Sequence, residues 1–364
     1  MAIVTKVSNI ISHLNKFANP GLAYSWDNVG FQLGDANCEV HKILLSLDVT
    51  ENAIDKAIAE KCDMIISHHP FIFKPIKKIT NPIYLKLIKN DISVYCAHTN
   101  LDVVKGGVNS ILADRLGLKV EEFISLESGS KMLQIAVQIP NGYVDEVTEA
   151  VLKVGAGRIG NYSECCSKTK VLSQFKPETG SEPAIGKIDE LESVSGIKLE
   201  FFVESIDLSK VLRALEKAHP YEVPAYSIFP QENGISYGLG VIGKLEKPLT
   251  MKSFAEDVKS RLGAPKISLW PANKDENSLV EKVAVCGGSG SSLLSKLYGR
   301  ADIFVSADFT YHTVLDSKIP LIDAGHFYTE NPVLDVLENL LKFFDCEIIR
   351  LSMDEHEISK LIHI

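Results

Sequence analysis

The first third of the chain alternates short unbroken apolar runs with amphipathic stretches. KILLSLDVT (42–50) is an apolar run ending at Asp48, and ENAIDKAIAEKC (51–62) carries Ala53, Ile54, Ala57 and Ile58 at helical spacing. DMIISHHP (63–70) and ISVYCAHTNLD (92–102) read as further strands. PIYLKLIKN (82–90) is a helix between them, and VNSILADRLGL (108–118) is a helix stopped at Gly117. Continuous apolar strands separated by helices predict a parallel sheet covered on both faces.

The pattern changes near residue 126. SKMLQIAVQIP (130–140) is a strand and YVDEVTEAVLKVG (143–155) an amphipathic helix, followed by a Gly- and Ser-rich polar stretch to about Ile188. LEFFVESI (199–206), DLSKVLRALEKAHP (207–220) and VPAYSIFP (223–230) then read strand, helix, strand. This order predicts an α+β unit of ferredoxin-like type. From about Tyr237 the first pattern resumes. MKSFAEDVKSRLGAP (251–265) is a helix, KVAVCGGSGSSLLSKLYGRA (282–301) reads strand, Gly-rich turn, helix, and DIFVSAD (302–308) and IPLIDAG (319–325) are strands. NPVLDVLENLLKFF (331–344) is a periodic helix with Pro332 suited to its first turn. The expected architecture is therefore an α/β core domain assembled from both chain ends, 1–126 and 233–364, interrupted by an inserted α+β domain, 127–232. Insertion at a surface loop is tolerated where the host's own ends are close.

Composition fits this picture. The 364 residues suggest two or three domains at roughly 100–200 residues each. Apolar content is 45% and charged content 23%, enough for a substantial core. The net charge of −9 argues against a general nucleic-acid binder, without excluding a nucleotide substrate. No apolar run approaches the ~20 residues of a membrane span. The N-terminal segment reads as an amphipathic helix and not as a signal peptide. Seven scattered cysteines without a C-x-x-C point to buried thiols in a reducing cytoplasm.

Three strand ends carry unusual chemistry. MIIS runs into His68-His69. VYCA runs into His98, with Asp102 four residues on, and LIDAG runs into His326, with Glu330 four residues on. In parallel α/β sheets, sites collect at the carboxyl ends of strands, so one pocket can gather all three clusters. Imidazole and carboxylate together suit zinc, iron, manganese, nickel or cobalt better than magnesium or calcium. If the strand persists, His68 and His69 point different ways and suit either two neighbouring ions or one ion and a supporting hydrogen bond to its ligands. His326 and Glu330 share a face if their turn is helical, and Glu330 is the candidate bridge between two ions about 3.5–4 Å apart.

SHHPFIF (67–73), AHTNLD (97–102), Gly106-Gly107, CGGSG (286–290), SADFTYH (306–312), DAGHFYTE (323–330) and SWDNVGFQLGD (25–35) together resemble the GTP cyclohydrolase 1 type 2 homologue family, also called NGG-one-interacting-factor-three-like. The resemblance spans essentially the whole chain. It implies a dinuclear metal site held by His68, His69, Asp102, His326 and Glu330, with two divalent ions (zinc, iron, manganese or nickel) per subunit. It also implies a toroidal homohexamer. GAGRIGNYSECC (155–166) and KAHPYEVPAYSIFP (217–230) resemble the PII-like, or CutA-like, domain inserted in longer family members.

The remaining candidates are weighed singly. His98 either orients Asp102 or moves protons beside the ions, and a packed strand-end histidine is the plain alternative. His312 is a second candidate proton carrier, because the site otherwise lacks a free base. Asp48 reads as a solvated strand-end carboxylate outside the site. CGGSGSS reads as a tight turn before a helix, although such turns can present N–H groups to phosphate. Trp26 and Asp27 are expected to pack and cap nearby. The expected activity is metal-dependent opening of the GTP ring by an activated water, with formate released. The alternatives are a two-metal phosphoesterase and a non-enzymatic metal-binding regulatory or assembly protein.

Overall fold

A computed structural model describes residues 4–126, 131–160, 162–231 and 237–360. The chain divides into two compact units, one of 1–127 with 237–364 and the other Ser128–Ser236. The boundaries expected at 126/127 and 232/233 fall against residues 127 and 232–233, which lie outside the described residues. Among the described residues, no helix is long and apolar enough to cross a membrane.

The larger unit contains two sheets, not the single parallel sheet expected. In the first, the strands run in the order Gly30–Leu33, Ser93–Cys96, Met64–Ser67, Lys42–Ser46, Glu347–Arg350. All neighbours are parallel except Gly30–Leu33, which pairs antiparallel with Ser93–Cys96. Its central strands are fully buried apolar runs, and this matches their sequence. Helix Glu51–Ala59 covers it with Ala53, Ile54 and Ala57, capped by the Thr50 hydroxyl on Ala53 N–H.

The second sheet runs Ser268–Trp270, Leu321–Asp323, Ile303–Ala307, Leu279–Ser289, Gly238–Thr250, Leu118–Leu126. Its two central pairings, of Ile303–Ala307 with Leu279–Ser289 and with Leu321–Asp323, are parallel, and the outer pairings are antiparallel. Leu118–Leu126 and Gly238–Thr250 pair with each other and bracket the smaller unit. An antiparallel pair needs no helical crossover, so these strands add to the edge of a parallel core whatever the chain does between them.

The smaller unit has the element order Met132–Pro140, helix Val144–Lys153, Cys166–Phe175, Glu192–Glu204, helix Leu208–Ala218, Tyr226–Pro230. The four strands form an antiparallel sheet in the order Cys166–Phe175, Glu192–Glu204, Met132–Pro140, Tyr226–Pro230. This is the β-α-β-β-α-β order. Ile135, Val137, Leu199 and Phe201 pack against Val147, Val151, Val211 and Leu215. The ten-residue strand Cys166–Phe175 lies inside the stretch expected to be irregular. It is an edge strand with no buried residue, so no apolar face marked it. Pairing with the long strand Glu192–Glu204 is what makes it a strand.

Both sheets of the larger unit start their parallel strands in the same way. Asp63 Oδ2 accepts from the N–H groups of His41 (2.7 Å) and Lys42 (2.9 Å). Asp302 Oδ2 accepts from Glu281 (3.0 Å) and Lys282 (2.8 Å). Each carboxylate locks the start of its own strand to that of the strand before it. Asp63→Ala leaves two donors without their acceptor and should lower stability by about 1–3 kcal/mol. A urea midpoint shifted down with an unchanged slope would show it, and an unchanged midpoint would refute the locking role.

Candidate metal centre

Strand Met64–Ser67 stops one residue before His68. Ser67 Oγ donates to His69 O (2.8 Å) and His69 N–H donates to Leu47 O (2.9 Å), which bends the chain. The strand alternation expected for the histidine pair is therefore lost. Both rings face the same space, with centroids 5.1 Å apart. His68 is fully buried, and its Nδ1–H donates to Ala97 O at 2.8 Å, so Nε2 carries the lone pair. That Nε2 lies 3.6 Å from Asp102 Oδ1 and 3.9 Å from Glu330 Oε1. Neither His68 Nε2 nor Asp102 Oδ1 has a hydrogen-bond partner, although both are buried. Burial drives the His68 pKa down to about 3 and, with the charge of Glu330, pushes that of Asp102 well above the usual carboxylate range. Two buried lone-pair atoms without a hydrogen-bond partner at this separation fit a bound cation.

His326 and Glu330 come from the second sheet, on the one-turn helix His326–Glu330 that follows Leu321–Asp323. The i, i+4 spacing places His326 Nε2 3.0 Å from Glu330 Oε2. His69 Nε2 reaches the same oxygen at 2.9 Å. Glu330 Oε2 thus faces His69 and His326, while Oε1 faces His68, whose Nε2 is in turn near Asp102. Burial works against the ionised form of Glu330, but its bonds to His326 and His69 hold the carboxyl well below the ordinary range. Burial also works against protonation of His69, yet hydrogen bonds to Asp48 and Glu330 bring its pKa up to about 10. The bond to Glu330 raises that of His326 to about 9. In the ion-free chain these imidazolium groups supply the positive charge that Glu330 requires.

The glycine pair of CGGSG has a specific steric purpose here. A Cβ at Gly288, whose φ is +59°, would stand 2.2 Å from Glu330 Oε1. One at Gly287 would meet Val108 at 2.6 Å and Glu330 Cγ at 3.2 Å. The segment differs from the expected turn and helix, because strand Leu279–Ser289 runs through both glycines and only a 3₁₀ helix, Ser291–Lys296, follows. Its N–H groups are already used. Gly287 donates to Asn109 Oδ1, Gly288 to Thr329 Oγ1 and Gly290 to Ser306 Oγ. A phosphate cradle is thereby excluded at those three groups.

Carboxylates hold the rings in place. Asp48 Oδ1 lies 2.7 Å from His69 Nδ1, and Asp308 Oδ2 lies 2.6 Å from His326 Nδ1. Asp27, with its side chain fully buried, lies 3.0 Å from His98 Nδ1 through both oxygens and accepts from the Thr99 hydroxyl at 2.5 Å. Burial opposes its charge, but bonds to His98 and Thr99 bring the Asp27 pKa down to about 2. Asp48 is therefore not the solvated strand end expected, and His98 is bonded to Asp27 instead of orienting Asp102. Sequence reasoning passed over Asp48 and Asp308 although both end strands at the edge carrying the histidines. The same positional rule, applied to carboxylates as well as imidazoles, finds them.

Donor atoms of His68, His69 and His98 lie within 4.8 Å of one another, as do those of His69, His326 and Glu330. Either group could hold a metal ion. The His98 ring stands 5.3 Å from that of His68 and 5.5 Å from that of His69. His312 is not brought in. It lies exposed on helix Tyr311–Asp316, in edge contact with the Tyr311 ring. The helix packs through the partly buried Val314 and leaves His312 on its exposed side.

Comparison with known proteins places this geometry in a family. The chain matches the family described as Duf34/NIF3 (NGG1p interacting factor 3) over residues 5–357. A Halalkalibacterium halodurans protein named GTP cyclohydrolase 1 type 2 homolog is 37% identical over 366 residues, covering 96% of this chain and 98% of that one. A Bacillus subtilis protein of the same name is 37% identical, covering 90% of each. The solved structure of a Bacillus cereus protein related to NIF3 superposes with a TM-score of 0.80 at 33% identity over the whole of both chains. One from Staphylococcus aureus reaches 0.74 at 27% identity, covering 99% of each. Matched along nearly its full length by sequence and by fold, the chain belongs to the Duf34/NIF3 family.

Proposed function

We propose that this protein is a two-ion hydrolase that opens the imidazole ring of GTP and releases formate. The observation that carries the reading is the placement of Glu330. One of its oxygens lies 3.9 Å from His68 Nε2, which is itself 3.6 Å from Asp102 Oδ1, and the other meets His69 and His326. The donor set fits two divalent ions of the zinc, iron, manganese or nickel type. His68, Asp102 and Glu330 Oε1 would hold one, and His69, His326 and Glu330 Oε2 the other, with Glu330 as bridge. When bound, such ions supply a water of lowered pKa and positive charge for a developing oxyanion. The relatives' name, GTP cyclohydrolase 1 type 2 homolog, supports the substrate.

The chain's own groups then do the rest. Asp48 and Asp308 fix the orientation of the His69 and His326 rings through Nδ1. Asp27 does the same for His98, so His98 Nε2 is the atom that exchanges protons with the site. That atom donates to the ring nitrogen whose bond to C8 breaks. Two waters are consumed, one to open the ring at C8 and one to release C8 as formate. His98 takes the proton role ahead of His312, which makes no contact with the cluster among the described residues. The reading extends to a cytoplasmic hexamer whose insert, 127–232, is a PII-like or CutA-like module. Its segments 155–166 and 217–230 and its β-α-β-β-α-β order support the module.

Protein loaded in turn with zinc, iron, manganese and nickel should release formate from GTP. No formate with any of the four would sink the cyclohydrolase reading, and phosphate release instead would move the chain to the phosphoesterase class. Glu330→Gln should lower the metal content from two ions per subunit towards one. An unchanged content of two would show that another group bridges. Because the ion-free pKa values of His69 and His326 are about 10 and 9, both rings are protonated at pH 7. Metal uptake at that pH should release about two protons per subunit. The release should fall as the pH rises through about 9 and then about 10, as His326 and then His69 lose their protons before the metal arrives. Calorimetry in buffers of different ionisation enthalpy measures it, and uptake without proton release at pH 7 would remove these two histidines from the ligand set.

A further inference from the structure

An exposed aromatic surface continues outward from the cluster. Trp26 is 58% exposed and stands edge-on to His98, with centroids 6.2 Å apart. Tyr24 stacks on Trp26 at 5.8 Å, and Phe73, 48% exposed, lies 6.1 Å from it. The indole thus joins on one side to the histidines and on the other to a second exposed ring. Cross-links hold the two loops that carry these rings. The Asn28 side-chain amide donates to Ile72 O, Ile72 N–H donates to Gln32 Oε1 at 2.9 Å, and Gln32 Nε2 donates to Asn28 O at 2.6 Å. The bonds position the loops without burying the indole. Trp and Phe left open to water beside a polar cluster forgo burial that the fold would otherwise use, which marks a surface that meets a ligand. Beyond Phe73 the same loop carries Lys74, Lys77 and Lys78, all exposed and without an ion pair among the described residues, in a chain of net charge −9.

We infer that Trp26 and Phe73 form a stacking platform for the planar heteroaromatic ring of a nucleotide, with the lysines beyond Phe73 on the side of its phosphates. The inference rests on the metal cluster being the reacting site, and it names the substrate class that cluster serves. The Trp26 and His98 rings are 6.2 Å apart, so a base held on Trp26 lies close to the group assigned the proton transfer. Stacking recognises any planar base, so the platform selects for a ring and leaves the choice among rings to other contacts.

The test uses full-length, metal-loaded protein with three probes: GTP, guanosine and inorganic triphosphate. The chain has two tryptophans, so Trp270→Phe leaves Trp26 as the sole reporter. GTP and guanosine should quench its fluorescence and triphosphate should not. By calorimetry, Trp26→Ala should weaken GTP and guanosine roughly tenfold and leave triphosphate unchanged, and Trp26→Phe should recover much of the loss. Metal content and sedimentation of Trp26→Ala should match the parent protein. Unchanged GTP affinity in Trp26→Ala would overturn the platform. So would a changed oligomeric state, which would make the patch a contact between copies of the chain. The chemistry is read separately. Trp26-dependent ring binding with no formate removes the cyclohydrolase reading and leaves the platform standing. Formate from Trp26→Ala at an unaltered KM removes the platform and leaves the chemistry.

Discussion

A buried carboxylate governs the architecture around the site. Removing the charge of Glu330 from water costs on the order of several kcal/mol, and the cost is offset only if cationic groups surround it in good geometry. His69 and His326 meet one oxygen at 2.9 and 3.0 Å. The other oxygen faces the unprotonated side of His68, which also faces the raised carboxyl of Asp102. Protons on two imidazoles can balance the charge on the first side. On the second side His68 Nε2 and Asp102 Oδ1 remain buried and unpaired. The asymmetry leaves one side of the carboxylate without a proton to balance it, so the cluster is not a self-contained salt bridge and could take a cation.

The rest of the local structure follows from placing that carboxylate. Strand Leu279–Ser289 passes so close that only glycine fits at 288. Asn109 ties this strand to the turn carrying Asp102, donating from Nδ2 to Asp102 O at 2.8 Å and accepting from Gly287 N–H at 2.9 Å. Each of the four histidines has Nδ1 bonded to a fixed acceptor: a backbone carbonyl for His68, and Asp48, Asp308 and Asp27 for the others. A ring held at Nδ1 presents Nε2 in one direction, which fixes the donor geometry before any ion arrives. His98 shares this arrangement but meets the aromatic surface of Trp26 as well. It therefore stands between the ligand-type histidines and the outer loops.

Much of this was legible in the chain. Buried parallel strands such as Met64–Ser67 and Ser93–Cys96 announce themselves as unbroken apolar runs, and a polar residue where such a run stops lies at a strand end. That is why His68, His69, Asp102, His326 and Glu330 could be singled out, and the structure brings all five together. Elements without that contrast were missed. Cys166–Phe175 buries nothing, so its sequence looks like a loop. The histidine-orienting carboxylates look like any solvated acid until their partners are known. His312 had the right residue type and a motif, but it lies on the exposed side of its helix.

Sequence alone determined the local facts: which segments are apolar enough to be strands, which of them end in imidazole or carboxylate, and which family the motifs resemble. Those depend on residue type and spacing over a few positions, and the chain states them directly. The tertiary structure decided the rest. It put the clusters on two sheets instead of one, because strand pairing between distant segments is not written in either segment alone. It turned His69 beside His68 by ending a strand one residue early. It also gave the two oxygens of Glu330 different partners. Distance between side chains is a property of packing, and residues 261 positions apart, such as His69 and Glu330, have no local signal of their 2.9 Å contact.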